Sequence, residues 1–211
     1  MIYSTEQENF WAGDFGDEYI NRNTGDNFLS SSVSFLSRAL KNIEKPNSVI
    51  EFGANIGLNL KAMKILFPDA DLSAIEINTK AAIELKKIIK NKNIYNNSIL
   101  DFNENHKYDL VLVKGVLIHQ NPDFIKDVYA KLFNACGRYI LISEYYNRDP
   151  IQVVYRGHSN RLFKRDWAGE ILEQYKSLKL IDYGFIYYRD PKFPQDDENW
   201  FLLENLNCNF K

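Results

Sequence analysis

Ser48-Val-Ile-Glu-Phe-Gly-Ala-Asn-Ile-Gly-Leu-Asn-Leu60 decides how the rest of the chain is read. Val49 to Phe52 is a short apolar run of the kind that forms a buried strand. It breaks at Gly53, and Gly57 opens an amphipathic stretch that ends before Pro68. A strand that turns on glycine into a helix N-terminus is the entry unit of nucleotide-type binding folds, because glycine lets backbone approach a ligand closely.

Outward from this unit, strand and helix patterns alternate. Downstream, strands are expected over about 71–77, 94–99, 108–113 and 138–143. Helices are expected over about 57–67, 79–90 and 121–134, the last opened by Asn121-Pro122, a good N-cap followed by proline at the first helical position. Gly137 is expected to end that helix. Upstream, Phe28 to Ile43 has helical spacing, with Ser30–Ser32 as its expected cap and Pro46 beyond it. After about residue 143 the pattern changes. Residues 144–164 have no clear periodicity. A helix over about 165–175 follows, and strands over about 178–188 and 200–207 form an antiparallel hairpin at the sheet edge. The expected fold is therefore α/β: a doubly wound, Rossmann-like seven-stranded sheet, mostly parallel. We divide it into an N-terminal lid and helix (1–45) on a domain (46–211) with a substrate loop at 144–165, all one structural domain. The N-terminal stretch Phe10 to Tyr19 is aromatic, acidic and glycine-containing, without a clean helical face. It is read either as packing on the domain or as a lid.

Composition narrows the function. The chain has 211 residues, 45% of them hydrophobic, and a net charge of -2, so a broad basic footprint for nucleic acid is not indicated. No apolar run is long enough to span a membrane. The first residues lack the basic and apolar regions of a secretory signal. Cys136 and Cys208 lie far apart, which suits reduced thiols and a cytoplasmic location.

Two ligand classes suit the glycine turn. A dinucleotide wants G-x-G-x-x-G for its pyrophosphate. Here Asn55 stands at the middle position and the third glycine is missing. Glu51, at the end of the first strand, favours a ligand with an ammonium or sulfonium group, as in S-adenosylmethionine. Glu76 closes the second strand, about 20 residues on, where an acid accepts from ribose hydroxyls. Asp101, after the third strand, is a candidate for the adenine amine or else a turn aspartate.

Glu51-x-Gly53-x-Asn55-x-Gly57, Glu76, Asp101 and the closing hairpin together resemble the class I S-adenosylmethionine-dependent methyltransferases. In more detail the chain resembles the pseudaminic acid biosynthesis-associated methylases. The stretches that carry this likeness are Phe10-Trp-x-Gly-x-Phe-Gly-x-x-Tyr-x-x-Arg-Asn23, Lys114 to Pro122, and Tyr155 to Asp166. The resemblance implies methyl transfer, with S-adenosylhomocysteine as product, to a small sugar-type acceptor. The cofactor set is Glu51, Gly53, Asn55, Gly57, Glu76, Asp101 and Lys114.

Ligands on such sheets sit beyond the carboxyl ends of the strands. His119 is therefore read either as the base for an oxygen or nitrogen acceptor or as a residue that only bonds backbone ahead of Asn121, and Tyr145 and Tyr146 either orient an acceptor hydroxyl or serve packing. Arg148, Arg156, Arg161, Lys164 and Arg165 stand against the single acid Asp149, with His158 among them. Lys164 and Arg165 fall at an expected helix start, where they oppose the helix dipole unless an anion joins them. This cluster is read either as a solvated face or as the holder of an acceptor carboxylate or phosphate. Trp11 and Tyr19 join the substrate set, and no metal is expected. The alternatives are an NAD(P)-dependent oxidoreductase and a cofactor-binding or docking protein without catalysis.

Overall fold

The computed structural model describes residues 3–20, 26–103 and 105–207. Strands β1 (Ser48–Phe52), β2 (Asp71–Ile75), β3 (Ile94–Tyr95), β4 (Tyr108–Lys114) and β5 (Cys136–Glu144) run parallel. The seven-stranded sheet is completed by β9 (Glu198–Asn205) and β8 (Leu178–Ile186), in the order β3-β2-β1-β4-β5-β9-β8. The last strand thus enters between β5 and β8 and is antiparallel to both. The expected doubly wound sheet with a closing hairpin is the observed one.

The pleat sends alternate residues to opposite faces. Val49, Leu110 and Leu112 pack with α3 (Asp26–Ala39), α4 (Leu58–Leu66) and α5 (Thr79–Leu85). Ile50, Phe52, Val111 and Val113 pack with α6 (Ile125–Ala135) and α7 (Trp167–Gln174). The central strands are covered on both faces, which is why they read as continuous apolar runs. Burying each such side chain contributes about 1.5–3 kcal/mol. This makes the sheet a rigid base for the loops at its carboxyl edge.

Several local expectations are corrected. Residues 6–12 and 14–19 are helical, α1 (Glu6–Ala12) and α2 (Asp14–Tyr19), broken at the extended Gly13. Thr5 and Glu8 form a capping box that satisfies the first backbone donors of α1. Ser31 and Ser32 do not cap α3 but are buried inside it. Strand β3 has two residues, not six. The helix at Thr79 stops at Leu85, because Lys86, Lys87 and Ile88 donate three residues back rather than four. Gly137 lies inside β5, which starts directly after α6.

The largest correction concerns 144–164. It contains a two-stranded hairpin, β6 (Ile151–Tyr155) and β7 (His158–Lys164), outside the main sheet. Its two-residue turn, Arg156-Gly157, has positive φ at both positions (50° and 86°), the conformation that matches strand twist in a tight hairpin. Arg22, Asn23 and Cys208 lie outside the described residues.

Candidate active site

A cavity of about 880 Å³ opens at the carboxyl edge of the sheet. Its floor is the glycine turn after β1. Gly53 and Gly57 have φ of 72° and 78°, and Asn55 has φ of 48°, a conformation that asparagine tolerates. A Cβ on Gly53 would stand 2.6 Å from Val116, so no larger residue fits. Every amide of the turn is already used. Gly53 and Ala54 donate to the Ile75 carbonyl, and Gly57 donates to Ala54. Asn55 donates to Glu76 Oε2 at 2.6 Å, and Ile56 donates to Asn55 Oδ1 at 2.7 Å.

Two buried carboxyls flank the turn. Glu51 Oε1 accepts from Asn59 Nδ2 at 2.7 Å, while Glu51 Oε2 is buried without a partner. Burial pushes the Glu51 carboxyl up to about 8, opposed by the Asn59 hydrogen bond and the Lys114 charge. Glu76 accepts from Asn55 N at Oε2 and, at 2.7 Å, from Asn78 N at Oε1, with the Ile77 amide also directed at it, so the carboxyl keeps acceptor capacity for a further donor. Burial raises this carboxyl too, against those amide donors. Glu51, Gly53, Asn55 and Glu76 all line the cavity, and Gly57 supports the turn from below.

Lys114 also lines the cavity, but its ammonium is engaged. It pairs with Glu198 at 2.6 Å, and Ser143 Oγ donates to the same carboxylate at 2.7 Å. The site therefore holds a neutralised pair rather than an open cation.

His119 lies in the short 3-10 turn after β4 (Leu117–His119). Its Nδ1 is 2.6 Å from the Arg161 carbonyl oxygen. That oxygen only accepts, so Nδ1 carries the proton and Nε2 of the neutral ring keeps its lone pair. Burial lowers the imidazole to about 4, so the ring is neutral at pH 7. Glu144 positions this turn. Its fully buried carboxyl accepts from the amides of Val116 and Leu117 at 2.9 Å and of Ile118 at 3.3 Å. Burial pushes Glu144 up to about 8 despite those three donors.

The roof comes from the N-terminus and the hairpin. Gln7, Glu8, Trp11 and Tyr19 line the cavity from above, with Tyr155 and Arg156 beside them. The Trp11 ring lies 4.5 Å from the His119 ring, and the Tyr155 ring lies 4.9 Å from it. Polar clasps hold the roof on both sides. Gln7 Nε2 donates to the Asn160 carbonyl at 3.1 Å, and Arg161 pairs with Glu6 at 3.1 Å. Asp17 receives Asn78 Nδ2 at 2.8 Å and pairs with Lys80 at 2.5 Å.

The sequence-predicted substrate residues separate into two groups. Trp11, Tyr19, His119, Tyr145 and Arg156 come together at the cavity. Burial and the adjacent Asp196 raise the Tyr145 phenol. The others do not reach the cavity. Tyr146 packs on Phe201, outside it. His158 packs against Phe10 and Phe15 on the outer side of the roof. Arg161 pairs with Glu6 and lies over the Phe10 ring, while its Nε is buried without a partner. Arg165 pairs with Glu170 at 2.8 Å, and Asp166 caps α7, so that helix start needs no added anion. Lys164 lies over the Tyr145 ring and faces a smaller hollow with Asp196 and Asp197. Asp101 is exposed and outside the cavity; Asn97, Ser98 and Ile99 line it instead.

Sequence reasoning missed Gln7, Glu8, Asn78 and Glu198; it placed Glu144 past the fifth strand, facing the crevice, but gave it no role. The Thr5-x-x-Glu8 capping box was the available signal for α1. Nothing local marks Glu198, which depends on β9 entering beside β5. Among the described residues, no group of three His, Cys, Asp or Glu side chains is arranged to hold a metal, and no helix is long and apolar enough to cross a membrane.

Strand order, glycine turn and cavity place this chain in the Rossmann-like fold of the class I methyltransferases. No protein-family model matches the chain, and no curated protein matches it by sequence. Solved structures do match. The Burkholderia thailandensis 1,6-didemethyltoxoflavin N1-methyltransferase, with its substrate and S-adenosylhomocysteine bound, has a TM-score of 0.69 at 14% identity over 95% of this chain and 87% of that chain. The Synechocystis PCC 6803 magnesium protoporphyrin IX methyltransferase with bound S-adenosylhomocysteine has a TM-score of 0.67 at 15% identity over 94% and 97% of the two chains. A plantazolicin methyltransferase in complex with S-adenosylhomocysteine has a TM-score of 0.62 at 15% identity over 94% of each chain.

Proposed function

We propose that this protein binds S-adenosylmethionine in the cavity and transfers its methyl group to a small, sugar-type acceptor. One observation carries the cofactor reading: the turn offers no free amide, and the group beside it is the Glu51 carboxyl with one unpartnered oxygen. A pyrophosphate needs those amides and would further disfavour the ionised form of Glu51, the form that an ammonium group stabilises. An ammonium group supplies the donor that Glu51 Oε2 lacks, and ribose hydroxyls fit the open lone pairs of Glu76. These features favour S-adenosylmethionine over NAD(P).

When bound, the cofactor supplies a methyl group activated on a sulfonium. The protein's part is placement and proton transfer. Trp11, Tyr145 and Tyr155 offer ring faces to a sugar and exclude water from the reacting atoms. His119 Nε2, with its free lone pair, would take the proton of the acceptor oxygen or nitrogen as the methyl–sulfur bond of the cofactor breaks and S-adenosylhomocysteine leaves. Arg156 is the cation from the hairpin cluster that reaches the cavity, so an acceptor carboxylate or phosphate would be held there. The likeness to pseudaminic acid biosynthesis-associated methylases supports a nonulosonic acid or a nucleotide-activated sugar as acceptor. We read residues 1–45 as lid and helix on a methyltransferase domain, 46–211, with 144–165 as the substrate element. We place the reaction in the cytoplasm.

The test is incubation with methyl-labelled S-adenosylmethionine and a panel of free and nucleotide-activated nonulosonic acids, followed by mass spectrometry. A product heavier by one labelled methyl supports the reading. Cofactor binding without turnover on any member would favour a non-catalytic binding protein.

A further inference from the structure

Resting on the cofactor reading above, we propose that Glu8, carried by the N-terminal helix α1, reads the adenine amine, a role the sequence had assigned to Asp101.

The direction of the ligand follows from the sheet. Glu51 stands at the end of β1 and Glu76 just past β2, the next strand outward. A ligand with its ammonium at Glu51 and its ribose at Glu76 carries its base one strand further, toward the carboxyl end of β3. The cavity wall there is Asn97, Ser98 and Ile99. Asp101 lies beyond them, exposed and outside the cavity. The carboxyl that does line the cavity beside Ser98 belongs to Glu8, which is 7% exposed.

The Glu8 carboxyl is held on both oxygens. Oε2 accepts from Thr5 N at 2.8 Å and from Thr5 Oγ1 at 2.9 Å. Oε1 accepts from Ser98 Oγ, which in turn accepts from Leu100 N at 3.0 Å. A carboxyl oxygen has two lone pairs, so Oε1 keeps one for a further donor. On the same cavity wall as Ser98, Asn97 Oδ1 is a buried acceptor without a partner. This end of the cavity therefore presents acceptors. An exocyclic amine with two hydrogens matches them, whereas a ring carbonyl at the same position would face oxygen with oxygen. Buried polar sites reject such mismatches strongly. The acceptor sits on the roof rather than on the sheet, so base recognition depends on α1 being docked over the cavity.

Calorimetry with S-adenosylhomocysteine and with S-inosylhomocysteine, which bears a carbonyl in place of the amine, tests this. The wild-type protein should prefer the adenosyl compound by about a hundredfold. In Glu8→Gln, the amide can donate to the carbonyl, so the preference should fall by about tenfold or more, with the inosyl compound gaining in absolute affinity. A loosened α1 would instead weaken both ligands equally, and that result overturns the assignment. So does an unchanged preference in Glu8→Gln alongside a lost one in Asn97→Ala. Asp101→Asn should leave the preference as it is. If Glu8→Gln does not fold, the same ratio is read in Ser98→Ala, where a preference equal to wild type counts against Glu8 and a reduced one supports it. If the wild-type protein binds neither compound, the cofactor reading itself fails. If it binds both alike, only the adenine assignment fails.

Discussion

Glu51→Gln is expected to make the ligand-free protein more stable while removing its cofactor. Burial holds the native Glu51 carboxyl at about 8, against an ordinary value of 4.5. Between these values the native state binds a proton that the unfolded chain has released. Stability therefore falls as pH rises from 4.5 to 8 and is retained in full below 4.5. Each pH unit in that window costs about 1.4 kcal/mol, so the burden is about 3 kcal/mol at pH 7. Glutamine has no proton to take up, and its amide oxygen still accepts from Asn59. Its NH2 group, left in place of the unpartnered oxygen, offsets part of the gain, leaving about 1–2 kcal/mol. For a chain of this size that is a rise in Tm of about 2–4 °C per kcal/mol. Calorimetric scans of both proteins at several pH values from 5 to 8 should show the gap widening with pH. Titration with S-adenosylhomocysteine should show affinity reduced about a hundredfold or more. A Glu51→Gln protein less stable than wild type at every pH, or a gap that ignores pH, would refute the burial argument. Unchanged affinity would refute the role of Glu51 at the cofactor ammonium.

The remaining expectations concern the floor and the base. His119→Asn keeps a donor for the Arg161 carbonyl but removes the lone pair, so kcat should fall about 10²–10⁴-fold with cofactor affinity unchanged in calorimetry. Because burial lowers His119 to about 4, the acid limb of the wild-type kcat/KM profile should appear below about pH 5 rather than near 6.5. Lys114→Met leaves the Glu198 carboxylate buried without its cation and should cost about 3–5 kcal/mol in denaturant unfolding. Lys114→Met with Glu198→Leu should recover most of that loss.

Much of this architecture was legible in the sequence because it rests on local pattern. Val49–Phe52 and Leu110–Val113 are covered on both faces, so they stand out as apolar runs, and Gly53, Gly57 and Asn121-Pro122 mark their turns by residue type. Glu51 and Glu76 could be found because their positions are fixed relative to those strands. The hairpin at 151–164 was not legible. It projects from the sheet, with apolar Ile151 and Val154 exposed beside the half-buried Val153 and Tyr155, so hydrophobicity does not follow the burial pattern, and its turn uses Arg156-Gly157 rather than an asparagine or aspartate. The basic cluster misled for the opposite reason. Composition shows the cations, while their partners Glu6 and Glu170 are fixed only by tertiary packing. Asp101 had a suitable place in the chain, but β3 ends at Tyr95, and the intervening residues carry the aspartate away from the cavity.

The central claim is that the glycine turn and its two carboxyls hold S-adenosylmethionine rather than a dinucleotide. Its most direct test is calorimetric titration of the wild-type protein with S-adenosylhomocysteine and, separately, with NAD. Saturable binding of one S-adenosylhomocysteine per chain, with no heat from NAD, is the predicted result. Binding of NAD, or of neither ligand, would contradict it.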